Sequence, residues 1–196
     1  MTCGVTTDSR KVPGKYWNPI IEHIVAKGIT PVFLGKTSTE TGNSMNIGTT
    51  WDKDLRFDLG VDMRDKTSLV EAASIIHRAE FIIGHDNGLL HLAGMTETPI
   101  IFGYNIASPE HRRPIRPKGK VYDINLTRKE LACTNCQSTF NFVIGYNFKR
   151  CYYGDLKCIH MLFENDGKRW KDAVDLVIAE KAAQDWAAKS NIDKII

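Results

Sequence analysis

The chain has 196 residues, 42% of them hydrophobic and 25% charged, with a formal net charge of +3. Such a length and composition fit a globular protein of one large or two small domains, with a real core. They leave no run near the roughly 18 apolar residues of a membrane span, no signal peptide at residues 1–5 and too little charge to argue for nucleic acid, so a cytoplasmic location is expected.

Residues 1–5 read as a short strand that runs into a polar loop over 6–15. Asn18 before Pro19 marks a helix start, because a capping side chain precedes a residue that needs no N–H partner. Ile20, Ile21, Ile24 and Val25 fall on one face of that helix and Gly28 ends it. The apolar run 30–34 is a central strand closed by Gly35 and Lys36. Residues 37–50 are polar and fit either a loop or a weak helix, and 58–62 holds a short strand.

Ser68 and Glu71 form a capping box, each bonding the other's backbone N–H. It opens an amphipathic helix carrying Leu69, Ala72, Ile75, Ile76 and Ala79. A buried strand at 81–84, a tight turn and a short helix at 89–95 follow, then strands at 99–103 and 121–124. Residues 133–158 form a Cys-containing insert rich in Tyr, Phe and Asn. Asp166-Gly167 precedes a long C-terminal helix whose stripe of Trp170, Ala173, Val174, Val177 and Ile178 is core, with Trp186 extending it.

Strands alternating with helices predict an α/β fold: a Rossmann-like open parallel sheet with helices on both faces. All of 1–196 is expected to form a single domain, with the insert at about 127–165. Ligands of such sheets sit beyond the carboxyl ends of the strands. The polar turns at 6–15, 35–40, 66–68 and 86–91 should therefore crowd one edge, which favours a phosphate-bearing ligand.

The organising stretch is Phe81-Ile82-Ile83-Gly84-His85-Asp86-Asn87-Gly88-Leu89-Leu90-His91-Leu92-Ala93. Its turn aims unpaired N–H groups and the positive end of a helix dipole outward, where an anion fits. The plainer reading is a strand–helix joint with Asp86 or Asn87 as N-cap. Similarly, the cluster His111, Arg112, Arg113, Arg116, Lys118 and Lys120 is either a solvated loop or a phosphate-facing one. Cys133 and Cys136 form a C-x2-C pair with Cys151 and Cys158 downstream; a structural zinc or ordinary thiols both fit that spacing.

The stretch 81–93 closely resembles the D-[ST]-G-x-x-H-L-A signature of glycosyltransferase family 9, the heptosyltransferases of lipopolysaccharide synthesis. Lys66-Thr67-Ser68-Leu69 resembles the family's G-x-x-[ST]-L helix start, with Asp65 where glycine is usual. Pro99-Ile100-Ile101-Phe102-Gly103 is similar to its next strand, and Thr6-Thr7 with Lys15-Tyr16-Trp17 to its polar loop and K-x-W element. The resemblance runs roughly from Gly4 to Val177.

That resemblance implies the donor-binding, C-terminal domain of a two-domain GT-B enzyme, an inverting glycosyltransferase using a nucleoside-diphosphate sugar such as ADP-heptose, with no metal required. It implies phosphate contacts for Thr6, Thr7 and Lys15, ribose for Glu40, and the base and ribose for Thr67, Ser68 and Leu69. Asp86 would hold a sugar hydroxyl, Asn87, Gly88 and Leu89 would give N–H groups to the pyrophosphate, and His91 would support the turn. Asn87 stands where the family has Ser or Thr.

The acceptor, a glycan or lipid-linked glycan, and the catalytic base belong to an N-terminal domain without counterpart here. A truncated chain, a subunit completed by a partner chain and a stand-alone module all fit that departure. The alternative function is a non-catalytic nucleotide or nucleotide-sugar binding module. A nucleic-acid role for the basic cluster has only charge behind it.

Overall fold

Strand pairing in the computed structural model, which describes residues 1–3, 10, 12–37, 51–136, 151 and 153–192, is parallel throughout. Val32–Phe33 (β1) pairs with Val61–Asp62 (β2). Ile82–His85 (β3) pairs with Ile100–Gly103 (β4), which pairs with Val121–Ile124 (β5). The extended residues 1–3 join the two groups. Leu34 N–H donates to Met1 O on one side, and Thr2 N–H donates to Ile83 O on the other, both at 3.0 Å. A side chain at Gly84 would collide with Thr2, so glycine permits this approach.

Read across, the order is β2, β1, residues 1–3, β3, β4, β5. In chain order that is 3-2-1-4-5-6, the doubly wound arrangement, with its reversal between residues 1–3 and β3.

Every residue of β3 and β4 is buried, as expected for parallel strands covered on both faces. Side chains alternate between two cores. Ile83, Ile101 and Ile124 face Gly14–Ala26 (α1) and Glu164–Ile192, while Ile82, Ile100 and Phe102 face Leu69–Arg78 (α2) and Gly88–Ala93 (α3). Among the described residues the other α-helices are Pro109–Arg112 (α4) and Lys157–Leu162 (α5), so Glu164–Ile192 is α6. At the centre of the first core the rings of Trp17, Phe163 and Trp170 lie 4.8 to 5.0 Å apart. Trp170 lies flat enough on β4 that a side chain at Gly103 would overlap its ring.

Several boundaries differ from the sequence expectation. Helix α1 begins at Gly14, a turn before Asn18, and keeps Pro19 inside. Trp17 is wholly buried, which draws that extra turn into the helix. Asn18 instead ties α1 to the next segment, donating to Asp54 O and accepting from Arg56 N–H. Val25 lies beyond the buried face, and Leu69, at the first position of α2, is 72% exposed. The strand expected at 30–34 is only Val32–Phe33, since Pro31 has no N–H to give to a ladder. In α6 the left-handed Asn165, Asp166 and Gly167 precede the regular turns; Trp170, Ala173, Val174 and Val177 are core, but Trp186 is exposed. Among the described residues no helix is long and apolar enough to cross a membrane. Much of the expected insert, including residues 137–150, lies outside the described residues.

Candidate functional site

At the carboxyl ends of the strands, over the reversal of strand order, lies a cleft of about 450 Å³. Its walls come from the segments that sequence reasoning brought to one edge: Gly35 and Lys36 after β1, Thr67 to Leu69 before α2, and Asp86 to Leu89 with His91 after β3. Thr2, Arg10, Trp51 and Arg112 complete it. A larger cleft of about 810 Å³ opens at the opposite, amino-terminal ends of the strands, walled mainly by apolar side chains such as Ile29, Ile75, Phe81 and Val177. Open α/β sheets bind ligands at the carboxyl edge, so the smaller cleft is the functional candidate.

Asn87 fixes the floor of this cleft. Its Oδ1 accepts from Leu89 N–H at 3.0 Å and Leu90 N–H at 3.4 Å, capping α3. Its Nδ2 donates to Thr2 O and to Thr2 Oγ1, both at 2.9 Å. One amide thus starts the helix and clasps the two strands that flank the reversal. A single hydroxyl lacks the two donors for Thr2. The Leu89 N–H is consequently engaged by the cap.

Asp86 is a charge hub with only 3% of its side chain exposed. Its Oδ2 lies 3.3 Å from Arg10 Nη1 and 3.1 Å from Arg112 Nε, and its Oδ1 is 3.5 Å from His91 Nε2. Arg10 Nη1 also donates to the Asp86 backbone carbonyl at 3.1 Å. Burial works to raise the carboxyl, but His91, Arg10 and Arg112 outweigh it and hold it at about 2. The neighbouring His85 is fully buried, with neither ring nitrogen hydrogen-bonded among the described residues. Burial pushes its imidazole down to about 4, against the pull of Asp86 and with the help of Arg10, so it is neutral near pH 7.

Of the other expected residues, Thr67, Ser68 and Leu69 line the cleft, with Ser68 Oγ engaged at 2.8 Å by its capping partner Glu71. Gly88 lines it too, and a Cβ there would meet no protein atom. Lys15 stands exposed on the first turn of α1, 5.0 Å over the Tyr16 ring and outside the cleft lining. Thr6, Thr7 and Glu40 lie outside the described residues. Asp65 adopts a φ of 57°, in the left-handed region that favours glycine. Its carboxylate accepts from Thr37 N–H at 3.0 Å, which anchors the turn.

Sequence reasoning did not assign Arg10, Lys36, Trp51 or Arg112 to the site. Trp51 packs on Gly35 and donates its indole N–H to Lys36 O at 2.9 Å. Arg112 belonged to the basic cluster, and the rest of that cluster is committed to its own chain. Arg113 pairs with Asp123, Lys118 with Glu97 and Lys120 with Glu180. Arg116 donates to the carbonyls of Thr96, Thr98, Lys118 and Lys120, and His111 bonds Ser108. Among the described residues, formal charge in the cleft lining is three cations, Arg10, Lys36 and Arg112, against the carboxylate of Asp86.

Cys133, Cys136, Cys151 and Cys158 form no disulfide among the described residues. Burial, reinforced by Cys151 and Cys136, raises Cys158 to about 12. Among the described residues no group of three or more His, Cys, Asp or Glu side chains is arranged to hold a metal ion.

Comparison with known proteins agrees with this architecture. Lipooligosaccharide heptosyltransferase 2 of Haemophilus influenzae is 25% identical over 123 residues, 63% of this chain and 34% of that protein. The dodecameric iron-containing heptosyltransferase TibC, solved with ADP-D-beta-D-heptose, superposes with a TM-score of 0.70 at 16% identity, over 91% of this chain and 44% of that one. The E. coli ADP-heptose lps heptosyltransferase II gives 0.60 at 15% identity, over 92% and 46%. This chain thus spans about a third of the curated relative and under half of each solved structure. The solved structures share its fold. The model of glycosyltransferase family 9 (heptosyltransferase) matches residues 2–143, and the chain belongs to that family.

Proposed function

We propose that the chain is a donor-binding domain of an inverting glycosyltransferase that takes a nucleoside-diphosphate sugar of the ADP-heptose kind. The observation that carries this reading is the cationic excess of the carboxyl-edge cleft, where Arg10, Lys36 and Arg112 face one carboxylate beside the start of α3. A diphosphate is the complementary guest. The ADP-D-beta-D-heptose bound to TibC supports the choice of nucleotide and sugar.

In this reading the base and ribose lie toward Thr67, Ser68 and Leu69, and the diphosphate lies at Gly88 and the cations. An acceptor hydroxyl on a glycan or lipid-linked glycan attacks the anomeric carbon from the face opposite the phosphate. The carbon–oxygen bond to the diphosphate breaks, its electron pair leaves on the phosphate oxygen, and the configuration inverts. Negative charge grows on that oxygen as the bond stretches, and preorganised cations stabilise the growth. The base that takes the acceptor proton is assigned to an acceptor-binding domain or partner chain. Lys15, Thr6, Thr7 and Glu40 are assigned to the donor as additional contacts, and the setting to the cytoplasm.

Thermal unfolding against a panel of nucleoside diphosphates and nucleotide-sugars tests this. A ligand at about 100 times its dissociation constant adds roughly 2.7 kcal/mol, a shift of a few degrees. ADP and ADP-heptose are expected to give that shift. A panel in which no nucleotide moves the transition would contradict the reading.

A further inference from the structure

We infer that Asp86 is a positioning residue that holds Arg10 and Arg112 as a two-arginine clamp on the diphosphate. The inference rests on the donor-site reading above and adds a second role to the one that the family resemblance gives to this carboxylate.

The carboxylate is almost wholly enclosed, at 3% exposure. Two guanidinium groups meet at Oδ2, at 3.3 and 3.1 Å, and His91 Nε2 stands 3.5 Å from Oδ1. Oδ1 makes no hydrogen bond among the described residues, and Oδ2 alone holds the arginines. The arginines are the more accessible members of the group. Arg112 is 40% exposed and binds the carboxylate through Nε, and Arg10 is 16% exposed and binds it through Nη1.

The two arginines reach the hub from opposite sides of the strand reversal. Arg10 follows residues 1–3 in the chain, and Arg112 is the last residue of α4, beyond β4. Both line the same cleft as Gly88 and Lys36. A free arginine loses rotamer entropy when it is fixed. Asp86 imposes much of that order before any ligand arrives, so the planar forks already stand where a diphosphate can accept from them.

Calorimetric titration of the chain with ADP, which has no transferable sugar, reads the clamp by itself. Arg112→Ala and Asp86→Asn should each weaken ADP by about tenfold or more, with Arg112→Lys recovering part of the loss. The double variant Asp86→Asn/Arg112→Ala should be weaker than either single variant but lose less than the sum of the two losses, because Asp86 acts in part through Arg112 and in part through Arg10. Adenosine, which lacks phosphate, should bind all variants equally. Far-UV circular dichroism confirms folding, and Arg112→Ala, at a part-exposed site, tests the clamp even if Asp86→Asn unfolds. If the parent chain binds ADP but Arg112→Ala, or a folded Asp86→Asn, binds it equally well, the clamp is overturned and the donor reading survives. If the parent chain binds neither ADP nor inorganic pyrophosphate, the donor reading falls and takes the clamp with it.

Discussion

At the scale of single residues, Asn87 and His85 carry separate consequences. Asn87→Ala removes the cap of α3 and the two bonds to Thr2 together. A lost cap alone costs about 1 kcal/mol, so about 2 kcal/mol is expected from urea unfolding. Asn87→Ser should recover part of it. His85 makes stability depend on pH. Its folded value of about 4 lies below the unfolded value near 6.5, so the unfolded chain binds the proton first as pH falls. The contribution of neutral His85 is complete above about 6.5 and lost progressively down to about 4, on the order of 3 kcal/mol. Urea titrations across that window should show the decline, and His85→Gln should flatten it; a flat profile in the parent chain would contradict the assignment. Residues governed by local rules were readable in advance, among them the Ser68–Glu71 box and Asn87 as cap. Arg10 was not, because its partner Asp86 is 76 positions away and no spacing rule links them.

At the scale of elements, packing decides what propensity leaves open. The stripe from Trp170 to Val177 was legible because its helical period is regular, and it is core. The start of α1 was not, because burial of Trp17 outweighs the local signal of Asn18-Pro19. The contact between α6 and β4 is tight enough to test. Gly103→Ala should cost about 1–3 kcal/mol through overpacking against Trp170. Trp170→Ala, which leaves a cavity and an unpaired Leu162 carbonyl, should cost about 3–5 kcal/mol. If Gly103→Ala is neutral by thermal unfolding, the ring does not lie on β4 as described.

At the scale of the whole molecule, alternating strands and helices made the sheet class readable, but not the strand order. That order depends on residues 1–3 entering between β1 and β3, a long-range pairing without a sequence pattern of its own. Once it is set, the carboxyl-edge cleft follows from topology, and so does the gathering of Lys36, Thr67 and Asp86 from distant segments. The central claim is that this cleft, and not the larger apolar one at the other end of the sheet, receives a nucleoside diphosphate. A crystal structure of the chain soaked with ADP tests it most directly. The expected result is diphosphate density beside Gly88, within hydrogen-bond reach of Arg10 and Arg112. Density in the amino-terminal cleft, or an empty carboxyl-edge cleft at saturating ADP, would contradict it.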